Sequence, residues 1–496
     1  MTARGFDRVF DRVFDLVIRN AMVTTASDTY AADIGITDGR IVQLGQQLGQ
    51  GLREIDAAGR TVTPGGIDAH CHLDQPMAPP VRLADDFFTG TRSAACGGTT
   101  TVIPFAAQKK GGTLQAALDD YHQRATGRAC VDYAFHLIIT DPSPAVLRDE
   151  LPGLIEQGYT SYKLYMTYDR LKLDDGQILD VLDVARRHGG MPMIHAENSD
   201  CITWLTQKLE AAGKVAPRFH ALSRPTLVER EGAHRAIALS ELLDVPVLLV
   251  HISGAEAVEQ IRAARVRGLN VYAETCPQYL LLTAADLGLD DSYEGARCVC
   301  SPPPRDTASQ HAIWQGLADG LFTLVSSDHS PFNLEGPDGK TPGGQEVAFR
   351  HIPNGIPGIE TRMPLLYSEG VLGGRISANK FVELTATAPA RTYGLYPRKG
   401  TIAIGSDADL VIWDEREFTL GNEHLHHAVD YTPYAGRTLR AWPALTLLRG
   451  TTVWDGRDFT GAAGAGAFLP RGLPSIPAIG LRTPERASWL RDVLPT

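Results

Sequence analysis

The sequence predicts an α/β protein in which a (β/α)8 barrel, the TIM-barrel architecture, carries a smaller β-sandwich domain formed from both ends of the chain. Three observations predict this class. Apolar β-type runs alternate with segments of helical period between residue 64 and about residue 330, as in repeated βα units. Eight such runs occur, which is the number that closes a barrel. Turn-rich β-patterned segments lie on both sides of this region.

The predicted domains follow one another along the chain. Residues 1–13 form an N-terminal extension in which "FDRV" is locally duplicated. Residues 14–63 and 400–460 form the β-sandwich domain, because short apolar runs there alternate with turn signals. Residues 64–399 form the barrel. Residues 461–496, rich in Gly, Ala and Pro in their first part, form a C-terminal arm.

The predicted barrel strands are short runs of apolar and β-branched residues. In chain order they are "GGIDAHCH", "GGTTTVIPFA", "VDYAFHLIIT", "GYTSYKLYM", "MPMIHAEN", "VPVLLVHIS", "NVYAETCPQYL" and "FTLVSSDHSP". Amphipathic segments such as "TLQAALDDYHQRA" and "GQILDVLDVARRHG" lie between them and predict the helices.

Composition limits the class of function. The formal net charge of −11 argues against nucleic-acid binding and against a basic membrane-binding patch. No run approaches about 18 apolar residues, and the first residues lack the apolar core of a signal peptide. The seven cysteines are scattered and form no CxxC pair. We therefore expect a cytoplasmic protein that acts on a small neutral substrate.

Polar side chains interrupt the apolar strands near their carboxyl ends. Because these ends form the active-site face of a barrel, the side chains are expected to converge at one mouth. They are His70 and His72 in the first strand, Lys163 in the fourth, His195 in the fifth, His251 in the sixth and Asp328 in the eighth. A lone histidine is more often structural, but four histidines and an aspartate in such places together predict a metal site.

The donor atoms favour a pair of divalent ions. His70 and His72 share one face of their strand because side chains alternate with period two, so both can bind one ion. Nitrogen and carboxylate ligands suit Zn²⁺, with Mn²⁺ or Co²⁺ as alternatives. Five side chains are too many for one open zinc and too few for two ions. Lys163 supplies the missing bridge if CO₂ adds to its amine, and the resulting N6-carboxylysine no longer carries a buried positive charge.

Longer motifs are spread from about residue 60 to residue 440. They are "TPGGIDAHCHL", the lysine strand, "IHAEN", "VHISGAEA", "VYAETCPQYL", "SPPPR", "SDHSPF", "PNGIPGIETRMPLL", "LTATAPARTYGLYPRKGTIAIGSDADLVIWD" and "VDYTPYAGR". In these motifs the sequence resembles the dihydropyrimidinase and D-hydantoinase branch of the amidohydrolase superfamily, the cyclic amidohydrolases.

The resemblance implies a binuclear hydrolase that opens 5,6-dihydropyrimidines or 5-substituted hydantoins to N-carbamoyl amino acids. One metal ion would be held by His70, His72, Lys163 and Asp328, and the more exposed one by Lys163, His195 and His251. The resemblance also implies a homotetramer, with a dimer as the alternative.

Matching motif positions imply the residues that contact the substrate. They are Tyr168, Ser301, Asn354, Tyr165 and Leu73. Tyr168 would stabilise the oxyanion, and backbone groups of Ser301 and Asn354 would hold the ring amide. Asp328 would carry a proton from the attacking water to the leaving nitrogen. Tyr165 and the loop "LDQPMAPPVR", which begins at Leu73, would shape the pocket for the ring substituent.

Several alternatives remain open. A cyclic imide hydrolase (imidase) needs the same metals and the same tyrosine, and an allantoinase-like ureide hydrolase is a further competitor. Dihydroorotase-type sites carry an arginine just after the paired histidines, where this chain has "LDQP", so a neutral ring is favoured. A metal-free scaffold relative is the distant alternative, because such relatives lose histidines that this chain retains.

Overall fold

A computed structural model describes residues 13–479. The strands are β1 (Phe14–Thr24), β2 (Thr29–Thr37), β3 (Arg40–Gly45), β4 (Gly51–Asp56), β5 (Thr61–Pro64), β6 (Gly66–Cys71), β7 (Thr99–Ala107), β8 (Asp132–Tyr133), β9 (His136–Ile138), β10 (Ser161–Tyr165), β11 (Met191–His195), β12 (Val247–Leu249), β13 (Val271–Thr275), β14 (Leu324–Val325), β15 (Leu410–Asp414), β16 (Phe418–Thr419), β17 (Thr438–Leu439), β18 (Trp442–Leu448) and β19 (Thr451–Trp454).

The helices occupy most connections between the barrel strands. They are α1 (Phe87–Cys96), α2 (Leu114–Ala125), α3 (Leu151–Glu156), α4 (Asp175–His188), α5 (Ser199–Ala211), α6 (Phe219–Ser223), α7 (Thr226–Leu243), α8 (Ala255–Val266), α9 (Pro277–Leu281), α10 (Thr307–Ala318), α11 (Arg362–Leu366), α12 (Ala378–Val382) and α13 (Ala388–Thr392). Among the helices of residues 13–479, none combines the length and the apolar character needed to cross a membrane.

Parallel strands form the predicted barrel. Their spatial order is β6, β7, β8 with β9, β10, β11, β12, β13 and β14. The third position is split, since β8 and β9 both pair with β7. Two backbone hydrogen bonds join the last position to the first, from Asp328 N to His70 O (2.9 Å) and from His72 N to His329 O (2.7 Å). The barrel is therefore confirmed, and predicted site residues lie at its closing seam.

The smaller sheet contains strands from both ends of the chain. Its order is β19, β18, β15, β5, β1, β2 and β3, and β4 also pairs with β1. Strand β1 pairs with β4 through its first half and with β5 through its second half. The apolar cluster of this sheet includes the fully buried Ile34, Leu410 and Leu447. The chain ends thus share one core, whereas the exact domain boundaries stay a prediction.

The barrel helices end where sequence signals place their caps. Asp174 accepts a hydrogen bond from Gln177 N at the start of α4, and the Gln177 side chain accepts one from Asp174 N. This reciprocal capping box satisfies two backbone donors. Gly189, with a φ of 81°, follows the last residue of the helix, a conformation that glycine adopts without steric cost. The buried face of α4 packs into the main apolar core, together with the barrel's outer side chains.

The described part of the C-terminal arm, residues 461–479, crosses the amino-terminal end of the barrel. Leu469 N donates a hydrogen bond to Tyr133 O (2.8 Å), and the Leu469 side chain is fully buried among residues of the barrel interior. The Arg471 guanidinium donates to Ser161 Oγ (2.7 Å). The arm therefore fills the barrel end opposite the predicted active-site mouth.

We expect the Leu469→Ala substitution to lower the free energy of unfolding by about 2–5 kcal/mol, because removing a buried leucine side chain leaves a cavity. Leu473→Ala is the matched control in the same arm. Leu473 is 52% exposed, so its truncation should change stability by less than about 0.5 kcal/mol. Urea unfolding of both variants measures the difference, and equal small effects would contradict a core role for the arm.

Candidate active site

A cavity of about 560 Å³ opens at the carboxyl ends of the barrel strands. Its volume lies within the range of small-molecule sites. The six residues predicted from the strand ends all line it: His70, His72, Lys163, His195, His251 and Asp328. The structure thus brings together side chains that are up to about 260 residues apart in sequence, as expected for the active-site face of a barrel.

Asp328 lies between the two histidines of the first strand. Its Oδ1 is 3.3 Å from His70 Nε2 and 3.4 Å from His72 Nε2. Lys163 Nζ is 3.4 Å from the same His70 nitrogen. The two imidazoles, the carboxylate and the lysine amine are therefore close enough together to surround one metal ion.

The other two histidines lie at the ends of two neighbouring strands, since His195 is the last residue of β11 and His251 follows β12. The ring centroids of His195 and His251 are 4.4 Å apart, and those of His70 and His251 are 5.4 Å apart. Ligand atoms of His70, His251 and Asp328 all lie within 4.8 Å of one another. This spacing allows side chains from several strands to share a metal centre.

Hydrogen bonds orient three of the four histidines. The bonds are His70 Nδ1 to Glu274 (2.6 Å), His72 Nδ1 to Gln75 (2.7 Å) and His195 Nε2 to Glu197 (2.7 Å). With the bonded nitrogen protonated, the other ring nitrogen of each residue keeps a free lone pair. Metal-ligating histidines are held in this way by carboxylates and amides in other proteins.

His251 provides a direct test of whether a metal ion fits. Its Nδ1 atom is buried and has no hydrogen-bond partner among the described residues. Because buried polar atoms are normally satisfied, this nitrogen requires a partner that residues 13–479 do not provide. The surrounding nitrogen and carboxylate donors are those that Zn²⁺ and similar divalent ions prefer. The residues present therefore fit the predicted metal.

The charge states also suit metal binding. Burial lowers the pKa values of His70, His195 and His251 below the usual range, so these rings are neutral near pH 7, the form that binds metals. Burial alone would raise the pKa of Asp328, but the nearby His70 and His72 outweigh it and bring that pKa below its ordinary value. The carboxylate is consequently ionised at neutral pH.

Lys163 is fully buried within β10. Its Nζ lies 5.3 Å from the ring centroids of both Phe105 and Tyr165, and it takes part in no ion pair among residues 13–479. Burial lowers the pKa of its ammonium to about 8. The uncharged amine, which is the nucleophilic form, is therefore more abundant at neutral pH than in an ordinary lysine.

Three residues at the mouth have a left-handed backbone: Tyr168 (φ 69°), His251 (φ 41°) and Asp328 (φ 49°). Such conformations cost about 1–3 kcal/mol for side chains other than glycine and cluster at functional sites. All three residues line the cavity. The strain therefore coincides with side chains predicted to bind metal or to act on the substrate.

Four of the five predicted substrate-contacting residues line the cavity: Tyr165, Tyr168, Ser301 and Asn354. Tyr165 stacks on the His195 ring at a centroid distance of 5.5 Å. Asn354 Oδ1 is buried without a hydrogen-bond partner within the described chain.

Leu73 is the exception and corrects one prediction. Its side chain is fully buried in the main apolar core and packs against Gly90 of α1. The reason is the strand alternation, which directs the residue after His72 away from the mouth. The following residues Gln75, Pro76 and Met77 line the cavity instead.

Sequence reasoning missed two acids that support the histidines. Glu274 bonds His70 and also accepts from His251 N (3.1 Å), and burial raises its pKa to about 8. Glu197 binds His195 and the Arg224 guanidinium (2.7 Å each). Each acid interrupts an apolar run, in "VYAET" and "IHAEN", and this signal could have identified them.

A second group of potential ligands lies away from the mouth. Cys96, Glu360 and His426 have donor atoms within 4.8 Å of one another. Both Glu360 oxygens are already bonded, Oε1 to His426 Nδ1 (2.8 Å) and Oε2 to Ser93 Oγ (2.8 Å) and His426 N (2.7 Å). These contacts satisfy the buried carboxylate and account for the cluster without an ion.

Comparison with known families agrees with this architecture. The amidohydrolase family matches residues 61–453, which include the whole barrel. The chain therefore belongs to the amidohydrolase family. The N-terminal domain of the urease alpha-subunit matches residues 3–54, a range that contains the first strands of the smaller sheet.

Individual relatives narrow the class. The chain is 43% identical over 458 residues to a D-hydantoinase of Rhizobium radiobacter, covering 92% of this chain and 98% of the relative. It is 40% identical over 469 residues to a D-phenylhydantoinase of Escherichia coli, covering 94% and 99%. The crystal structure of dihydropyrimidinase from Brevibacillus agri superimposes with a TM-score of 0.89 at 42% identity, covering 93% and 99%. The resemblance to the D-hydantoinase and dihydropyrimidinase branch is thus confirmed.

Proposed function

We propose that this protein is a metal-dependent cyclic amidohydrolase that opens 5-substituted hydantoins and 5,6-dihydropyrimidines to N-carbamoyl amino acids. The observation that carries the proposal is the convergence of four histidines, a buried lysine and an ionised aspartate on one cavity at the barrel mouth. The relatives named as hydantoinases and dihydropyrimidinase support the substrate class. The predicted homotetramer and cytoplasmic location remain predictions.

Two divalent ions, Zn²⁺ in the first instance, are proposed to bind at this mouth. His70, His72 and Asp328 would hold one, and His195 and His251 the other, with Lys163 between them. When bound, such ions lower the pKa of a water molecule and polarise a carbonyl oxygen.

Lys163 is proposed to act as N6-carboxylysine. Its uncharged amine forms a C–N bond to CO₂ and releases one proton, which leaves a carbamate anion with two oxygen ligands. The lowered pKa of the buried ammonium supports this step, because it increases the fraction of free amine.

The remaining chemistry belongs to residues around the cavity. Asp328 accepts a proton from the attacking water and delivers it to the ring nitrogen as the amide C–N bond breaks. Burial raises the pKa of Tyr168, so its hydroxyl stays protonated and can donate a hydrogen bond to the carbonyl oxygen as that atom becomes negative. One such donor contributes about 3 kcal/mol in other enzymes. Backbone groups of Ser301 and Asn354 hold the ring amide.

The rest of the cavity favours an apolar ring substituent. Met77, Leu83, Leu171 and Phe332 line it together with the ring of Tyr165. A hydantoin with an aryl or alkyl group at its fifth position covers this apolar surface, whereas dihydrouracil has no substituent to do so. We therefore expect substituted hydantoins to be the better substrates.

A hydrolysis panel on one metal-loaded preparation tests the proposal. Dihydrouracil, dihydrothymine, aryl- and alkyl-hydantoins, glutarimide and allantoin are compared by kcat/KM. We expect the enzyme to hydrolyse the hydantoins and the dihydropyrimidines. The hydantoins with apolar substituents should have the highest kcat/KM. Turnover of glutarimide alone would establish the imidase alternative, and turnover of allantoin alone the ureide hydrolase.

A further inference from the structure

Lys340 is a buried lysine that the proposed mechanism does not use. It lies in the loop after the last barrel strand, and its side chain is 0% exposed. Its Nζ is bonded to two backbone carbonyls rather than to an acid, namely Val299 O (2.7 Å) and Pro353 O (2.7 Å). Burial lowers the pKa of this ammonium to about 7.

The two carbonyls belong to the segments that are proposed to bind the ring amide. Val299 lies two residues before Ser301, and Pro353 lies directly before Asn354. Gly355 N also donates to Val299 O (3.1 Å), so the two segments already touch at one point. The lysine adds a second connection, from a third segment of the chain.

The loop that carries the lysine is itself fixed at the mouth. Lys340 N donates to Asn333 O (2.7 Å), and Tyr293 Oη donates to Lys340 O (2.7 Å). The Nζ atom lies 5.9 Å from the ring centroid of Phe332, which lines the cavity. The lysine thus connects the apolar wall with both amide-binding segments.

Burying a lysine head group away from water and without an acid costs free energy, and an apolar side chain of similar length would avoid that cost. We propose that Lys340 is a positioning residue that holds segments 299–301 and 353–354 at the spacing the substrate ring requires. This inference rests on the proposed function of Ser301 and Asn354.

The test compares Lys340→Met with wild type on the cyclic amide that the wild type opens fastest. Loss of a clamp that acts on bound substrate and transition state alike raises KM and leaves kcat largely unchanged. We expect KM to rise about tenfold or more, with kcat within about threefold and metal content unchanged. Lys340→Gln, which can reach one carbonyl, should give an intermediate KM and also serves if the methionine variant does not fold.

Tyr293→Phe is the matched control, because it removes a hydrogen bond of equal length to the same lysine without touching Nζ. It should lower the thermal midpoint but leave KM within about twofold of wild type. Two results would overturn the clamp and leave the proposed function intact. One is a wild-type KM in folded, metal-loaded Lys340→Met and Lys340→Gln. The other is a rise in the KM of Tyr293→Phe equal to that of Lys340→Met. Absence of cyclic amide turnover by the wild type would overturn the proposed function, and the clamp with it.

Discussion

The Lys163→Ala variant is expected to fold, to bind less than a stoichiometric amount of metal and to have a kcat more than about 100-fold below that of the wild type. Disturbing only the groups that orient metal ligands costs 10–100-fold in affinity or activity in other enzymes. Removing the proposed bridge between both ions should therefore cost more. Metal analysis of the purified variant and kcat with the best hydantoin substrate measure the two effects.

The expectation follows from the surroundings of the side chain. Lys163 Nζ lies 3.4 Å from His70 Nε2, a contact that would be repulsive between an ammonium and a metal-bound histidine. Conversion of the amine to a carbamate reverses the sign of the charge at that point.

The same conversion predicts that metal-free protein prepared without CO₂ or bicarbonate regains activity slowly when metal alone is added.

Lys172→Ala is a suitable control for the lysine variant. Lys172 lies nine residues later and pairs with the exposed Asp169 (2.9 Å). Its removal should leave metal content and kcat close to wild type, because exposed ion pairs contribute about 0–1 kcal/mol. Full metal loading and turnover in Lys163→Ala would contradict the bridging role.

Strand periodicity and polar interruptions were sufficient to predict the barrel and the convergence of its site residues. A lysine or histidine in an apolar strand is conspicuous in sequence, and a closed barrel leaves only one face where such side chains can meet. His251 and Asp328 follow short strands, yet both line the cavity. Both residues have a left-handed backbone conformation. The residue types alone do not predict this conformation.

Other features depend on contacts between distant segments. Leu73 follows a predicted ligand directly, and only its packing against Gly90 shows that it belongs to the core. The sequence also left open where the C-terminal arm lies, because Leu469 meets the barrel interior more than 300 residues after Tyr133 in the chain. Acids such as Glu274 were missed since their role lies in a hydrogen bond to a histidine from another strand.

Asp328 combines ligand geometry with a protonation role, and these two roles can be separated. Its Oδ1 atom contacts both His70 and His72, so the side chain is placed to bind a metal through oxygen. Asparagine keeps such an oxygen at nearly the same position. It has no carboxylate, however, and cannot take a proton from water and return it to the leaving nitrogen.

We therefore expect Asp328→Asn to retain much of its metal and to lose about 10²–10⁴-fold in kcat, the usual contribution of a positioned acid–base group, with a smaller change in KM. Because the carboxylate must be ionised to act as base, wild-type kcat should fall as the pH drops through the lowered pKa of Asp328, and this limb should be missing from the residual activity of the variant. Asp169→Asn, the same change at an 85% exposed side chain of the cavity rim, should keep a wild-type kcat and pH profile. If Asp328→Asn kept full turnover, the proton transfer would have to be assigned to another residue.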